Sequence, residues 1–293
     1  MASKDVLIRD QDEDPFDVKA HVPLYEQILC DYQQTSVRAR ETLESQLDVR
    51  YGTHADERLD LFFPPKDAGV AHAPLPVHMF IHGGYWHRRS KSEYSFVAES
   101  IVQMGCIAAI VDYSYLPAIR IGDVVQQVRR AVLWLKGHAA TFGGDPGQMS
   151  ASGHSAGAHL ASYLVCRSPR EESEADYAVS SILLLSGIFD LEPIKASFLQ
   201  SILALTDQEV RAWSPCDALP SKSAAFRIVV GQKESSPMLE MARGFAAHIR
   251  AILADVQCLE IAGEDHMTIV RSLGIPGTVC ASLLKETIDA ARI

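Results

Sequence analysis

The sequence predicts an α/β fold in which helices cover both faces of a mostly parallel, eight-stranded sheet. Short runs of β-branched and other apolar residues recur along the chain, and helical patterns separate most of these runs. The first two runs are joined by a short connection, which indicates an antiparallel start to the sheet. The predicted strands are residues 46–51, 59–63, 77–81, 106–113, 149–153, 180–185, 226–231 and 257–262.

The clearest helical pattern runs from Asp123 to Thr141, where apolar residues recur on one face. Asp123 is its predicted N-cap, and the glycines at 143 and 144 end it. Another helical pattern spans residues 23–47. We therefore expect residues 1–45 to form an N-terminal helical appendage or cap and residues 46–293 to form one α/β domain. The appendage either covers the mouth of the functional site or packs on the body.

The composition is that of a globular protein with a large core, since 47% of the 293 residues are hydrophobic and 22% are charged. The net charge is −10, from 27 basic and 37 acidic residues, so binding to nucleic acid is not expected. No apolar run approaches the ~20 residues of a membrane span, and the acidic N-terminal stretch is unlike a signal peptide. We expect a cytoplasmic protein that acts without a membrane.

The six cysteines are scattered without a C-x-x-C spacing, and most lie in apolar segments. This pattern favours free, buried thiols over disulfides. No group of histidine, cysteine and carboxylate residues has the spacing of metal ligands, and the glycine-rich turn at 143–147 lacks the lysine of a phosphate loop. The sequence thus predicts no metal and no cofactor.

Residues 153–157 read Gly-His-Ser-Ala-Gly and lie between a predicted strand and a helical pattern. A serine on such a tight strand–turn–helix connection is held in strained backbone geometry, and small residues must flank it. Ser155 would project at the N-terminus of the following helix, where free N–H groups and the helix dipole favour negative charge. This context predicts that Ser155 is a nucleophile.

A glycine pair follows the predicted strand 77–81, in the motif His-Gly-Gly-Tyr-Trp at residues 82–86. Backbone N–H groups there can turn toward a developing oxyanion, and each such donor lowers the barrier to acyl transfer by about 2.7–4 kcal/mol. We predict an oxyanion hole from the N–H groups of Gly83, Gly84 or Tyr85 and of Ala156. An ordinary strand-to-loop turn is the alternative. His82 is expected to brace this loop by hydrogen bonds rather than to take part in chemistry.

A serine nucleophile needs a general base and an orienting carboxylate, which follow it in the order serine, acid, histidine on a fold of this kind. His266 comes directly after the last predicted strand. The acid should follow the strand 226–231, and Glu234 is the only carboxylate in that loop. The sequence therefore predicts the catalytic set Ser155, His266 and Glu234. The alternatives are His248 for the base, and Glu240 and Asp217 for the acid.

Four stretches carry a family resemblance: residues 82–86, 91–96, 142–146 and 153–160. Through them the chain, from about residue 45 to its end, resembles the kynurenine formamidase (arylformamidase) branch of the hormone-sensitive-lipase-like hydrolases, and its strand order suits the α/β-hydrolase fold. The tryptophan of the His-Gly-Gly-x-Trp motif is the more specific part. Family triads are most often Ser-Asp-His, so the glutamate at position 234 departs from the pattern.

The resemblance implies a metal-independent serine hydrolase that cleaves a small amide, foremost an N-formyl C–N bond, through an acyl-enzyme on Ser155. A carboxylesterase of short acyl esters and an amidase of a carboxylated intermediate are the enzymatic alternatives. An inactive hydrolase scaffold used for binding is the alternative from another class, and the intact Ser155 and His266 argue against it. The expected partner is a small-molecule substrate, and formation of a homodimer is left open.

Residues near the glycine pair are candidates for substrate binding. Tyr85, Trp86 and Tyr113 would line an aromatic pocket for a planar group, with core positions as the alternative. Arg88 and Arg89 form a basic cluster in an acidic protein. One of these arginines would bind a substrate carboxylate, and an ordinary surface loop is the other interpretation.

Overall fold

The computed structural model describes residues 14–65, 73–172, 177, 179–221 and 224–292. Its strands are β1 (Glu44–Arg50), β2 (Arg58–Phe63), β3 (Leu75–Ile81), β4 (Ile107–Val111), β5 (Gly144–His154), β6 (Cys166–Arg167), β7 (Ser181–Leu185), β8 (Leu219–Pro220), β9 (Ala225–Gly231) and β10 (Val256–Ile261). Eight of them form one sheet in the order β1-β2-β4-β3-β5-β7-β9-β10, and β6 pairs with β8 separately. Strand β2 runs antiparallel to β1 and β4, whereas the other neighbours in the large sheet are parallel.

Helices cover both faces of this sheet. Those of the described residues are α1 (Val18–His21), α2 (Tyr25–Thr42), α3 (Val97–Gln103), α4 (Ile121–His138), α5 (Ala156–Ser162), α6 (Glu192–Lys195), α7 (Gln200–Leu203), α8 (Asp207–Trp213), α9 (Ser236–Arg250), α10 (Thr268–Arg271) and α11 (Val279–Ala290). Helices α4, α5 and α9 contribute to the hydrophobic cluster on one face, and α2, α3 and α11 to the cluster on the other. Successive side chains of a strand point to opposite faces, so Met79 enters the first cluster and Phe80 the second.

The central strands are buried on both faces, which explains their unbroken apolar runs. All five residues of β4 and all five of β7 are buried. Each buried Val, Leu or Ile side chain contributes about 1.5–3 kcal/mol relative to an exposed one, so these strands form a rigid base. The predicted fold class, a mostly parallel eight-stranded sheet between helices, is confirmed, including its antiparallel start.

Several predicted boundaries differ from the structure at helix and strand ends. The helix predicted to reach Thr141 ends at His138, and a 3₁₀ turn follows it at Ala139–Phe142. Helix α4 begins at Ile121 with Arg120 as its N-cap, and the carboxylate of Asp123 accepts a hydrogen bond from the Arg120 N–H at 3.3 Å. Asp123 therefore lies in the first turn, where its charge suits the helix dipole. Strand β5 begins at Gly144 rather than at 149, because Gly144 pairs with Leu75 at the start of β3.

The helix predicted for residues 23–47 is shorter than expected. Helix α2 ends at Thr42, and Leu47 lies in β1, where pairing with β2 outweighs the helical pattern. Ile28 and Tyr32 of α2 are buried in the second cluster, so this helix packs on the body. The division at residue 45 stays a prediction, and residues 1–13 of the expected appendage lie outside the described ranges.

The six cysteines are free, and Cys106, Cys166 and Cys280 are buried as expected. Cys30 is exposed, because it lies on the outer side of α2. No helix within the described ranges is long and apolar enough to cross a bilayer.

Candidate active site

Ser155 lies at the sharp turn between β5 and α5. Its backbone has φ 56° and ψ −120°, a conformation that costs a non-glycine residue free energy and persists only where the surroundings impose it. The turn is crowded, since a Cβ atom on Gly157 would lie 2.1 Å from the Ile81 carbonyl oxygen. The Ser155 N–H donates to the Leu185 carbonyl at 2.9 Å, which ties the turn to the end of β7. The sequence folds here into the predicted strand–turn–helix connection.

The structure brings Ser155, His266 and Glu234 together in one hydrogen-bonded chain. His266 Nε2 lies 3.0 Å from Ser155 Oγ, and His266 Nδ1 lies 2.7 Å from Glu234 Oε2. Three different loops supply these side chains, following β5, β10 and β9. All three side chains are buried, so water competes little with these contacts. This geometry allows the imidazole to take the serine proton while the carboxylate stabilises the imidazolium.

Glu234 is itself held by two donors. The Gly231 N–H donates to its Oε1 at 2.9 Å, and the Ser186 hydroxyl donates to the same oxygen. Sequence reasoning missed Ser186, whose only signal was its position directly after the buried strand that ends at Leu185.

The alternatives to these residues lie elsewhere. His248 lies in α9, and its Nε2 donates to the carbonyl of Ala218, directly before β8, at 2.7 Å. Glu240 and Asp217 are exposed. None of these three side chains has a described contact with Ser155 or His266.

The glycine pair lies beside the Ser155 turn. A Cβ atom on Gly83 would lie 3.1 Å from Ser155 Cβ, and Gly84 has φ +118°, which favours glycine. His82 Nδ1 lies 2.7 Å from the Gly83 carbonyl oxygen. Because a trans peptide points its C=O and N–H in opposite directions, this contact turns the Gly84 N–H away from His82. Ala156 begins α5, so its N–H is among those without an acceptor inside the helix.

Two of the expected substrate-binding aromatics lie in the core instead. Trp86 is fully buried and its ring packs edge-on against His159, with 4.9 Å between ring centroids. Tyr113 stacks on His82 at 4.4 Å and donates to the His82 carbonyl at 2.9 Å. Both positions agree with the alternative interpretation, core packing, and neither ring lines the two cavities beside Ser155 and Glu234. The backbone at 85 and 86 is left-handed, with φ 51° and 56°. Through these contacts with His82, Tyr113 supports the loop that carries the glycine pair.

Two small cavities meet at Tyr85 and His266. The nucleophile cavity, which contains Ser155 and His266, leaves about 30 Å³ for the centre of a water molecule. The acid-side cavity, which contains Glu234 and His266, leaves about 20 Å³. Either volume holds one or two waters, since one water needs about 10–15 Å³ measured this way. Tyr85 and Val18 line both cavities.

An N-terminal strap, residues 14–22, covers these cavities. The Tyr85 hydroxyl donates to the Phe16 carbonyl at 2.7 Å, and Phe16 and Val22 are buried. Asp14 anchors the strap, because its carboxylate accepts from the N–H groups of Phe16 at 2.9 Å and of Phe198 at 3.0 Å. The sequence left open whether the appendage covers the mouth of the site or packs on the body. It did not single out residues 14–22, although their alternating apolar residues in an acidic stretch were a weak signal.

The two arginines beyond the glycine pair differ in their surroundings. Arg89 donates to Glu93 and to the Tyr25 hydroxyl, each at 2.9 Å. Burial, the strongest single influence, lowers the pKa of Arg89, but the hydrogen bond that Arg89 donates to Glu93 and the charges nearby together raise it. Arg88 is exposed and lines the nucleophile cavity. No described carboxylate lies within ion-pair distance of Arg88, so its charge is available to a ligand.

A protein-family model, BD-FAE, matches residues 59–239, more than half of the chain. The matched segment includes the glycine pair, Ser155 and Glu234. Kynurenine formamidase of Danio rerio is 28% identical over 256 residues, which cover 86% of this chain and 84% of that relative. Esterase LipC of Mycobacterium tuberculosis is 25% identical over 238 residues, which cover 74% of this chain and 58% of that relative.

A solved structure of a protein from Silicibacter sp. tm1040 superimposes on this one with a TM-score of 0.77 at 23% identity. The match covers 94% of this chain and 98% of that one. It confirms the fold, and the sequence relatives confirm the resemblance to the kynurenine formamidase branch. The chain belongs to the BD-FAE family, has the α/β-hydrolase fold and is a serine hydrolase.

Proposed function

We propose that the protein cleaves the C–N bond of an N-formyl amide, an arylformamide, through an acyl-enzyme on Ser155. One observation carries the proposal: Ser155 Oγ lies 3.0 Å from His266 Nε2 in a cavity that also contains Gly84 and Tyr85. The sequence similarity to kynurenine formamidase supports an amide substrate. Nucleophile, base and oxyanion donors therefore face one small volume.

In the first half-reaction, Ser155 Oγ bonds to the formyl carbon while His266 Nε2 takes the hydroxyl proton. The resulting oxyanion accepts hydrogen bonds from the N–H groups of Ala156 and of Gly83, Gly84 or Tyr85. The C–N bond then breaks, and the imidazolium gives its proton to the departing amine. Glu234 stabilises that imidazolium through Nδ1.

In the second half-reaction, water attacks the formyl ester and His266 takes one of its protons. The proton returns to Ser155 Oγ when the ester bond breaks, and formic acid leaves. No metal or cofactor enters either step.

The size of the nucleophile cavity supports a very small acyl group. The centres of water molecules can occupy about 30 Å³ of this cavity, and the side chains of Val18 and Tyr85 form part of its lining. A formyl group has two heavy atoms and fits where one or two waters fit. We expect a longer acyl chain to be accommodated less well beside Val18 of the strap, which lines this cavity. We therefore expect activity to fall along the series formyl, acetyl, butyryl for one aryl amine.

We further propose that Arg88, rather than Arg89, binds a carboxylate on the amine part of the substrate. Arg88 lines the nucleophile cavity with its charge unpaired among the described residues, whereas Glu93 and Tyr25 already engage Arg89. A hydrogen bond to a charged group is worth about 1.5–3 kcal/mol, roughly tenfold to hundredfold in kcat/KM.

This role of Arg88 is tested with a carboxylated formamide and its methyl ester. Arg88→Ala should lower kcat/KM about tenfold to hundredfold for the acid, because the hydrogen bond to its carboxylate is lost. The value for the ester, which has no carboxylate, should change little. Arg211→Ala, at another exposed arginine, is the matched control and should change neither value. Equal losses for acid and ester in Arg88→Ala would end the idea.

The main proposal is tested by steady-state hydrolysis of N-formylkynurenine beside p-nitrophenyl acetate, with Ser155→Ala as the blank. We expect strong deformylation that requires Ser155 and weaker ester cleavage. Fast ester cleavage without deformylation would favour the second candidate, a carboxylesterase, which the similarity to Esterase LipC supports. Failure of a fluorophosphonate probe to label Ser155 in folded protein would leave only a binding scaffold.

A further inference from the structure

We infer that His154 is a positioning residue: its imidazole holds the backbone at His266 and thereby places the His266 ring between Ser155 and Glu234. The inference rests on the proposed role of His266 as the base. It assigns a use to a buried histidine that the mechanism above leaves idle.

The contact is direct and runs from one ring to the backbone of the other residue. His154 Nε2 lies 2.7 Å from the His266 carbonyl oxygen, and the two rings pack with 4.9 Å between centroids. His154 is also covalently bonded to Ser155. One residue therefore joins the backbone of the nucleophile to the backbone of the base, and sets the distance between them.

The turn that carries His266 needs such support, because it lies between the end of β10 at Ile261 and the start of α10 at Thr268. Asp265 accepts from the Met267 and Thr268 N–H groups at 2.9 and 2.8 Å, which shapes the turn internally. The Tyr32 hydroxyl of α2 donates to the Met267 carbonyl. His154 and Tyr32 thus hold two consecutive carbonyl groups of this turn from outside.

The protonation state of His154 fits this use. A carbonyl oxygen only accepts hydrogen bonds, so Nε2 must carry the proton and Nδ1 is left as an acceptor. The Tyr94 hydroxyl lies 3.4 Å from that Nδ1. Burial, and then the nearby His266, hold the pKa of His154 well below its usual range. A neutral ring beside His266 adds no repulsion when His266 becomes positively charged.

The test compares His154→Gln with His154→Leu. The amide nitrogen of glutamine reaches about as far as histidine Nε2 and can donate to the His266 carbonyl, whereas leucine fills similar space without a donor. A displacement near 1 Å costs about 100-fold in rate, so we expect kcat to fall roughly 10- to 100-fold in His154→Leu. KM should change little, and His154→Gln should recover most of the loss.

His248→Leu is the matched control, because it removes a 2.7 Å bond from histidine Nε2 to the Ala218 carbonyl, a bond that involves neither Ser155 nor His266. It should lower the melting temperature without lowering kcat. A second readout is the NMR resonance of the proton between His266 Nδ1 and Glu234. We expect this resonance to shift or broaden in His154→Leu and to stay unchanged in His248→Leu.

Tyr32→Phe provides a variant that keeps the core filled if His154→Leu does not fold. It should lower kcat and shift the same resonance in the same direction. Wild-type kcat in folded His154→Leu, or an unchanged resonance in both His154→Leu and Tyr32→Phe, would overturn the inference. Full activity in His266→Ala would instead overturn the proposed function, so the two failures are distinguishable.

Discussion

Glu234 is bound on both carboxylate oxygens, one facing His266 and the other facing Ser186 and Gly231. The bonds from Ser186 and Gly231 fix the direction of the carboxylate before any substrate arrives. Aspartate is shorter by one C–C bond, about 1.5 Å, and could not keep both sets of contacts from the same backbone. The glutamate that departs from the family pattern is therefore matched to its own loop.

Glu234→Gln should lower kcat by roughly 10³- to 10⁴-fold with little change in KM. The amide keeps the shape but removes the charge that stabilises the imidazolium and selects the tautomer of His266, an effect of about 10⁴ in a related triad. Steady-state kinetics measure both constants. Glu240→Gln, at an exposed glutamate six residues along the chain, should behave as wild type. Near-normal turnover in Glu234→Gln would show that another group orients His266.

At the residue scale the sequence predicted what depends on order along the chain. Ser155, Glu234 and His266 follow β5, β9 and β10, parallel strands whose carboxyl ends share one edge of the sheet, so their approach follows from topology. The direction of the Trp86 side chain does not follow from the order of the strands. It depends on positive φ at two non-glycine residues, a conformation that no residue type there signals. Ser186 and His154 were missed because a single serine or histidine carries no pattern.

The Ser155 turn depends on a backbone approach that no side chain can enter. Gly157→Ala should destabilise the protein by about 2 kcal/mol or more, since overpacking costs typically 1–3 kcal/mol and the new Cβ would meet backbone at 2.1 Å. Gly244→Ala in α9 meets open space and should stabilise by about 0.5–1 kcal/mol. Urea unfolding measures both. Similar midpoints for the two variants would contradict the crowding at Gly157.

The N-terminal strap should influence substrate binding more than chemistry. Tyr85→Phe removes the bond to the Phe16 carbonyl and leaves the Val18 N–H, at 3.0 Å, as the donor to that carbonyl. The lost bond is worth about 0.5–1.5 kcal/mol. A looser strap should raise KM while kcat changes little. Tyr51→Phe removes a comparable 2.7 Å bond, to the Asp112 carbonyl, and should lower stability without raising KM. Equal KM values in the two variants would remove the strap from substrate binding.

At the element scale the strands were predictable, whereas the part of the N-terminal appendage that forms the strap was not. Unbroken apolar runs such as β4 and β7 arise because both faces are covered, so the sequence marks them directly. The strap is short, and it is held by distant partners, the Phe198 N–H on Asp14 and the Tyr85 hydroxyl on Phe16. Contacts made at long range leave no local pattern.

The whole molecule should lose stability as the pH falls below about 6.5, through buried neutral histidines. Burial lowers the pKa of His78 to about 3 and of His159 to about 4, and it lowers the pKa of His154 well below the usual range. Below pH 6.5 the unfolded chain binds protons that the folded chain does not. Each such histidine therefore removes about 1.4 kcal/mol per pH unit until its folded pKa is reached.

Urea midpoints between pH 7 and pH 5 measure this loss. His78 is held between the hydroxyls of Ser150 and Ser152, at 2.8 and 2.7 Å from its two ring nitrogens. His78→Gln should therefore reduce the slope of stability against pH. A stability that stays constant down to pH 5 would contradict the neutral state of these rings.

The hydrogen bond from Tyr32 to the Met267 carbonyl also has a consequence for how the protein folds. It joins residues 235 positions apart, and contacts of such long range form late because closing the intervening chain costs entropy. The sheet can assemble from neighbouring strands before α2 docks. During refolding from urea, catalytic activity should therefore return after the far-ultraviolet circular dichroism signal, and after the buried strands are protected from hydrogen exchange.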